Sequence, residues 1–257
     1  ISWFSQFYNT SPFKALQTII GNRKSRELTK KPKVPPFTTP FKLTLSQSHA
    51  IATILNSHDQ NEFLLHGVTG SGKTEIYIQL AAKMQETNKQ TLILVPEIAL
   101  TPQYMALFTQ RFGDTLSIIH SGLTPKNRDI AWNKINQNHV DIIIGPRSAI
   151  FTPIQRLGLI IIDEEHDPSY KQDTFPRYDI HHMSSFLAKY HQCKRLLGSA
   201  TPRLTTLHTH LNKDTYIHMK DRATGVKLPN IHIIDMTQPE NSESPLISKP
   251  LENAIKS

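Results

Sequence analysis

Apolar positions along this chain fall into two alternating rhythms. Short, mostly apolar runs occur at Glu62–Leu65, Thr91–Val95, Leu116–His120, Val140–Ile144, Leu159–Asp163 and Arg195–Gly198. They are short for helices and rich in Ile, Leu and Val, so they read as strands buried on both faces. Between them, 74–87, 101–112, 125–137 and 179–192 are amphipathic or mixed, as where Ile76, Leu80 and Met84 recur at helical spacing. This alternation predicts an α/β fold, a mostly parallel sheet covered by helices on both faces. Functional residues should gather at the carboxyl ends of its strands.

The ends of the chain read differently. Phe4, Phe7, Leu16, Ile19 and Ile20 can form one short helical face. Arg23, Lys24, Arg26, Lys30, Lys31 and Lys33 follow, together with Pro32, Pro35, Pro36 and Pro40. Residues 1–42 are therefore expected to be an N-terminal helix and a basic, Pro-rich linker, the tail of a preceding domain. The basic run can alternatively serve as a phosphate-contacting arm. Residues 43–229 make the main domain and 230–257 an exit segment, in which 246–257 can open a helix. The first residue is Ile rather than Met, so a piece of a longer protein is expected.

Composition narrows the classes. A net charge of +8 over 257 residues permits an anionic polymer as partner. The single cysteine, Cys193, excludes an intrachain disulfide framework and a Cys-rich zinc site, and fits a reducing compartment. An uninterrupted aliphatic stretch such as Leu159–Ile162 falls far short of the roughly 20 residues of a membrane span, so no membrane is expected among the partners. The start, Ile1-Ser2-Trp3-Phe4, has no secretory signal pattern.

The chemistry begins at Gly67-Val68-Thr69-Gly70-Ser71-Gly72-Lys73-Thr74, which fits G-x-x-x-x-G-K-[ST] at every fixed position. Its glycines let successive N–H groups turn into one concavity around phosphate oxygens, at the start of a helix whose dipole favours anions. Lys73 supplies a point charge to the β- and γ-phosphates, and the Thr74 hydroxyl can ligate Mg²⁺. Downstream, the apolar run Leu159–Ile162 delivers Asp163-Glu164-Glu165-His166 at its end. Asp163 can hold the same Mg²⁺, and Glu164 can polarise the attacking water. ATP and Mg²⁺ are the expected ligands, with Lys73, Asp163 and Glu164 as the catalytic set.

The order of P-loop, Asp-Glu-x-His and Gly198-Ser199-Ala200-Thr201-Pro202 is similar to the first motor lobe of superfamily 2 helicases. Longer strings narrow the resemblance. Gly67 through Glu75, Leu94-Val95-Pro96-Glu97-Ile98-Ala99-Leu100-Thr101-Pro102-Gln103, His120-Ser121, Gly145-Pro146-Arg147-Ser148-Ala149-Ile150-Phe151-Thr152-Pro153, and Asp163 through Asp167 with Ser169-Tyr170-Lys171-Gln172 resemble the PriA family of bacterial replication-restart helicases. The resemblance runs from about Leu43 to the end.

It implies a RecA-like P-loop NTPase lobe within a 3′→5′ DNA helicase that acts at stalled forks and in primosome assembly. Single-stranded and forked DNA, primosome proteins and single-strand-binding proteins are the implied partners, and the bacterial cytoplasm the implied location. Gln47 matches the adenine-contacting glutamine upstream of many such P-loops, and its amide can pair with the adenine edge. Arg147 and Ser148 fall where single-stranded DNA crosses related lobes, though Arg147 can equally be a structural ion-pair partner. In the aromatic-rich stretch 167–178, Tyr170, Phe175 and Tyr178 can stack bases while Lys171 and Arg177 meet the backbone. His166 can sense the γ-phosphate region and bond toward Ser199 or Thr201, linking nucleotide to DNA. His181-His182 and His208-x-His210 lack ligand spacing and read as ordinary polar helix residues.

One stretch departs from the family. After Arg-Tyr the pattern continues His-Ala-Arg-Asp, whereas this chain has Asp179-Ile180-His181-His182. The second lobe with its arginine finger has no room after Thr201, so the chain alone is expected to hydrolyse ATP poorly and not to unwind DNA. The zinc-binding cysteines of the family are absent too, and zinc is expected only in the parent protein's other parts. A RecG-like translocase and a nucleotide-gated, non-catalytic DNA-binding scaffold are the alternatives.

Overall fold

The computed structural model describes residues 1–20, 42–223, 233–238 and 247–256. The basic run Arg23–Lys33, the prolines from Pro32 to Pro40, Ile231 and residues 239–246 lie outside the described residues. Seven described strands form one parallel sheet: β1 (Glu62–Gly67), β2 (Gln90–Leu94), β3 (Leu116–Ile118), β4 (Ile142–Gly145), β5 (Leu157–Ile162), β6 (Lys194–Ser199) and β7 (Tyr216–Met219). Their order is β3-β4-β2-β5-β6-β1-β7. The helices before and between them are α1 (Ser2–Phe7), α2 (Pro12–Ile19), α3 (Leu45–Asn56), α4 (Lys73–Glu86), α5 (Pro102–Phe112), α6 (Pro125–Asn136), α7 (Ile180–His191) and α8 (Leu204–His210).

The helix starts are written in the sequence. Thr44 caps α3 in a reciprocal box with Gln47. Ser11, Thr101 and Thr124 each accept an N–H three residues on, with proline next in line, where its missing N–H costs nothing. Alternation along the strands then makes two cores. Phe63, Leu65, Ile93, Ile161 and Leu196 pack against Ile54, Ile76, Leu80 and Phe108 of α3, α4 and α5. On the other face, Leu64, Leu92, Leu94, Ile160, Ile162 and Leu197 meet Ile135 of α6, Ile180 and Met183 of α7 and Phe4 of α1.

Two features differ from the sequence expectation. β7 was not legible, because in Tyr216-Ile217-His218-Met219 only Ile217 and Met219 are buried and the strand lies at the sheet edge. The N-terminal apolar residues do not share one helical face either. Asn9, at φ 45°, and the Ser11 cap split them into α1 and α2. Phe4 is 2% exposed and packs on Phe151 and Tyr178, while Trp3 stacks on Phe186 of α7 at 3.9 Å. Phe7 stays half exposed.

Residues from Val226 onward form a separate unit. Its described helix, α9 (Lys249–Lys256), carries a Lys256–Glu252 pair at 2.6 Å.

Packing of α1 yields a stability prediction. Phe4→Ala should cost about 3–5 kcal/mol, read as a lower urea midpoint, because it empties a buried site. Phe7→Ala should cost less than about 1 kcal/mol.

Candidate nucleotide-binding active site

β1 runs into the loop 67–72, and α4 leaves it at Lys73. The loop needs left-handed backbone at Gly70 (φ 81°) and Gly72 (φ 84°), conformations that strain other residues. Lys73 is buried and donates to the Gly67 carbonyl at 2.8 Å. The Ser71 hydroxyl beside it is buried with no partner among the described residues. Thr69 is exposed at the apex and Thr74 half-buried in the first turn of α4. A cation folded back on its own loop and an unpaired buried hydroxyl suit an anionic, oxygen-rich ligand.

Gln47 stands against this loop rather than in solvent. It is 4% exposed; its carbonyl oxygen accepts from the Thr44 N–H at 2.9 Å, and its amide donates to the Gly72 carbonyl at 3.3 Å. The sheet order brings the acids alongside. β6 lies between β1 and β5, so the P-loop, Ser199 and Asp163 leave neighbouring strands at one edge.

Asp163 is the centre of the site. Its N–H donates to Leu94, and its Oδ1 accepts from the Tyr77 hydroxyl at 2.9 Å and the Glu164 N–H at 3.0 Å. Tyr77 belongs to α4 and must cross β6 to reach it. It does so at Gly198, where a Cβ would overlap the Tyr77 hydroxyl. Burial and the neighbouring Asp163 charge hold the tyrosine hydroxyl protonated far above its ordinary range, so it remains a donor. Burial also pushes Asp163 up to about 6; the Glu164 charge adds to this, while the Tyr77 bond and the Lys73 charge oppose it. A carboxylate kept at such cost, within the field of the P-loop Lys73, is an oxygen donor that fits a hard divalent cation such as Mg²⁺.

Glu164 turns out of β5 with φ 45°, a left-handed conformation unusual for a glutamate and characteristic of functional turns. Its carboxylate lies 3.6 Å from His166 Nδ1. The same nitrogen shares a 2.7 Å hydrogen bond with the Ser199 hydroxyl, and Nε2 stands 3.4 Å from the Thr201 hydroxyl. His166, Ser199 and Thr201 are thus one connected group, with Ser199 buried and Thr201 exposed.

The loop at 167–178 corrects part of the expectation. Tyr170 and Tyr178 are 2% and 5% exposed, so neither ring offers a face for a base. Tyr170 donates instead to the carbonyls of Asp163 (2.6 Å) and Leu94 (3.0 Å), which ties the loop to the catalytic strand. Tyr170 is held in the core where those two carbonyls take its hydroxyl as donor, and Tyr178 packs there against Phe4 and Phe151. Phe175 alone of the three rings is exposed.

Arg147 donates to the carbonyls of Ser169 (2.8 Å) and Lys171 (3.0 Å), so its contacts are to loop backbone rather than to a carboxylate. Ser148, Lys171 and Arg177 are exposed, with Arg177 Nε donating to Asp173. A cavity of about 430 Å³ opens beside Arg147 between His120, Arg128, Trp132, Ser148 and Tyr178.

The departing stretch has local work to do. Asp179 caps α7 through the His181 N–H at 2.7 Å, and His181 Nε2 donates to the Glu165 carbonyl at 2.9 Å. Burial lowers the affinity of His181 for a second proton. Glu165, fully buried, accepts from the Arg203 N–H at 2.7 Å and the Thr206 hydroxyl at 3.1 Å, fixing α8 after Thr201. Tyr77, Glu165 and His181 were not singled out as site residues from sequence. Nothing in their spacing distinguishes them from helix and turn residues, since their partners are far away in the chain. Among the described residues no His/Cys/Asp/Glu group is arranged to hold a metal by itself, and no helix is long and apolar enough to cross a membrane.

A parallel sheet with the P-loop after β1 and paired acids after β5 defines the RecA-like lobe of helicase motors. Residues 44–209 match the DEAD/DEAH box helicase family, and the chain belongs to it. Within that class its curated relatives include the replication restart protein PriA. The chain is 43% identical to that of Bacillus subtilis over 206 residues, covering 78% of this chain and 26% of the relative. It is 39% identical to that of Synechocystis over 92% of this chain, and 38% identical to that of Rickettsia prowazekii over 100% of it. It spans 29% and 40% of those two proteins. Solved structures share the fold. RecG bound to a three-way DNA junction superposes with TM-score 0.52 and 24% identity, over 70% of this chain and 24% of that one. The Pyrococcus furiosus Hef helicase domain gives 0.50 and 17%, over 70% and 39%.

Two measurements probe the centre of the site. Gly198→Ala should destabilise the chain by about 1–3 kcal/mol through overpacking against Tyr77, and Tyr77→Phe in the same chain should recover most of the loss. Asp163→Asn tests the buried charge. Because the folded-state pKa is raised, the native carboxyl holds its proton more tightly, so stability falls as pH rises from about 4 to about 6. Urea unfolding without nucleotide should therefore show the variant more stable at pH 7.5, by an amount on the order of 3 kcal/mol that fades toward pH 4.

Proposed function

We propose that this chain is the ATP-binding motor lobe of a 3′→5′ DNA helicase that restarts replication at stalled forks and takes part in primosome assembly. The observation that carries the reading is the convergence of Lys73, Thr74, Asp163 and Glu164 at the same ends of β1 and β5, with β6 between them and Glu164 beside a His166 that bonds to Ser199 and Thr201. Replication restart is what the PriA relatives are named for, and the polarity follows from the resemblance of the motifs.

The proposed chemistry follows from the residues. N–H groups of the P-loop receive the β- and γ-phosphates, and Lys73 leaves the Gly67 carbonyl for them. Thr74 and Asp163 would hold Mg²⁺, which supplies positive charge against the phosphate oxygens. Glu164 orients a water for attack on the γ-phosphorus and accepts its proton. Gln47 reads the adenine edge with its amide, exchanging the Gly72 carbonyl for the base.

On the DNA side, Ser148, Lys171, Arg177 and Thr201 present exposed donors to a single strand, and Phe175 offers a stacking face. Arg147 and Tyr170 hold the loop's backbone, the latter directly to Asp163, so a strand that shifts the loop also shifts the catalytic acid. Tyr178 acts from the core behind them. Single-strand-binding and primosome proteins are the proposed protein partners, and the bacterial cytoplasm the proposed location.

The test is ATP hydrolysis by the full-length protein, with and without single-stranded or forked DNA. Strong stimulation by DNA, abolished by Lys73→Ala and lowered about 10²–10⁴-fold by Glu164→Gln, is expected. Hydrolysis that ignores DNA in every form would favour a nucleotide-gated scaffold. The chain by itself should hydrolyse ATP weakly, since the arginine finger of a second lobe is worth about 10³–10⁵ in rate.

A further inference from the structure

The segment that follows β7 returns to the P-loop. Register pairs Met219 with Gly67, and the Val68 N–H donates to the Met219 carbonyl at 3.2 Å. Beyond it, the Ala223 N–H donates to the Gly70 carbonyl at 2.9 Å. Between these bonds the side chain of Arg222 lies over Gly70, with Cγ, Cδ and Nε 3.7–3.9 Å from where a Cβ on that glycine would stand. The Ala223 methyl is 3.3 Å from the equivalent position on Gly72, where the Gln47 amide also sits. Arg222 Nε is buried without a hydrogen-bond partner, and no ion pair holds this arginine among the described residues. It also lies beyond the family match, which ends at residue 209.

A buried guanidinium nitrogen left unpaired is costly unless a ligand shares its site. Arg222 and Gln47 stand against the same loop, one over Gly70 and the other beside Gly72. We propose that Arg222 is a nucleoside-binding residue, its planar guanidinium lying on the face of the purine base whose edge meets Gln47. The inference rests on the nucleotide reading above and deepens it. A planar cation over an aromatic ring attracts it electrostatically, and the aliphatic stem already fixed over Gly70 limits the entropy lost on binding.

The experiment is equilibrium binding to the full-length protein of three Mg²⁺-loaded probes: ATP, ADP and inorganic tripolyphosphate. Arg222→Ala should weaken ATP and ADP by about tenfold and leave tripolyphosphate unchanged. Arg222→Lys keeps the stem and the charge but not the plane, so it should fold as the wild type does and still lose most of that tenfold. Equal loss for tripolyphosphate, or full rescue by lysine, would make Arg222 a phosphate contact and overturn the assignment. Unchanged ATP affinity in both variants would overturn it as well. Lys73→Ala separates the two readings, because it should weaken all three probes; wild-type protein that binds none of them defeats the nucleotide reading itself.

Discussion

A tyrosine from the P-loop helix reaches the buried Asp163 across an intervening strand, and the rest of the site is built around that reach. Tyr77 and Asp163 are 2.9 Å apart although β6 lies between β5 and β1, the strand that leads into α4, and only the missing side chain of Gly198 allows the contact. The bond adds a side-chain donor to the Glu164 N–H at the same oxygen of a buried carboxylate. It also ties α4 to β5 across β6.

A second constraint is that three of the site's polar side chains are already engaged with protein. Lys73 is held by Gly67, Gln47 by Thr44 and Gly72, and His166 by Ser199 and Thr201. Each contact is a hydrogen bond that a nucleotide can exchange for one of its own, so binding would rearrange bonds rather than create order from nothing. Glu164, by contrast, is displaced from a comfortable backbone conformation before any ligand arrives.

The aromatic-rich loop shows how core and function overlap. Its tyrosines read as stacking platforms in sequence, yet Tyr170 is needed inside, where it satisfies two carbonyls at the ends of β2 and β5. Arg147 in turn spends its guanidinium on the backbone of that loop. These residues position the loop and leave Ser148, Lys171, Phe175 and Arg177 exposed around them. The departing stretch at Asp179-Ile180-His181-His182 follows the same logic, because Asp179 caps α7 and His181 braces Glu165.

The sequence by itself determined the strands with continuous apolar runs, the helices with Thr-Pro or capping-box starts, the P-loop and the paired acids. All of these are local: period, turn chemistry and phosphate-binding spacing are set by neighbours in the chain. It did not show β7, whose half-polar pattern becomes a strand only against β1, nor the division of the N-terminal residues at Asn9. Tertiary structure alone decided which aromatics were buried, that Gly198 opens a path for Tyr77, that Glu165 anchors α8, and that Arg222 returns to the P-loop. Each of those depends on residues brought together from distant segments by the order of the strands, and no periodicity along one segment records who stands across the sheet.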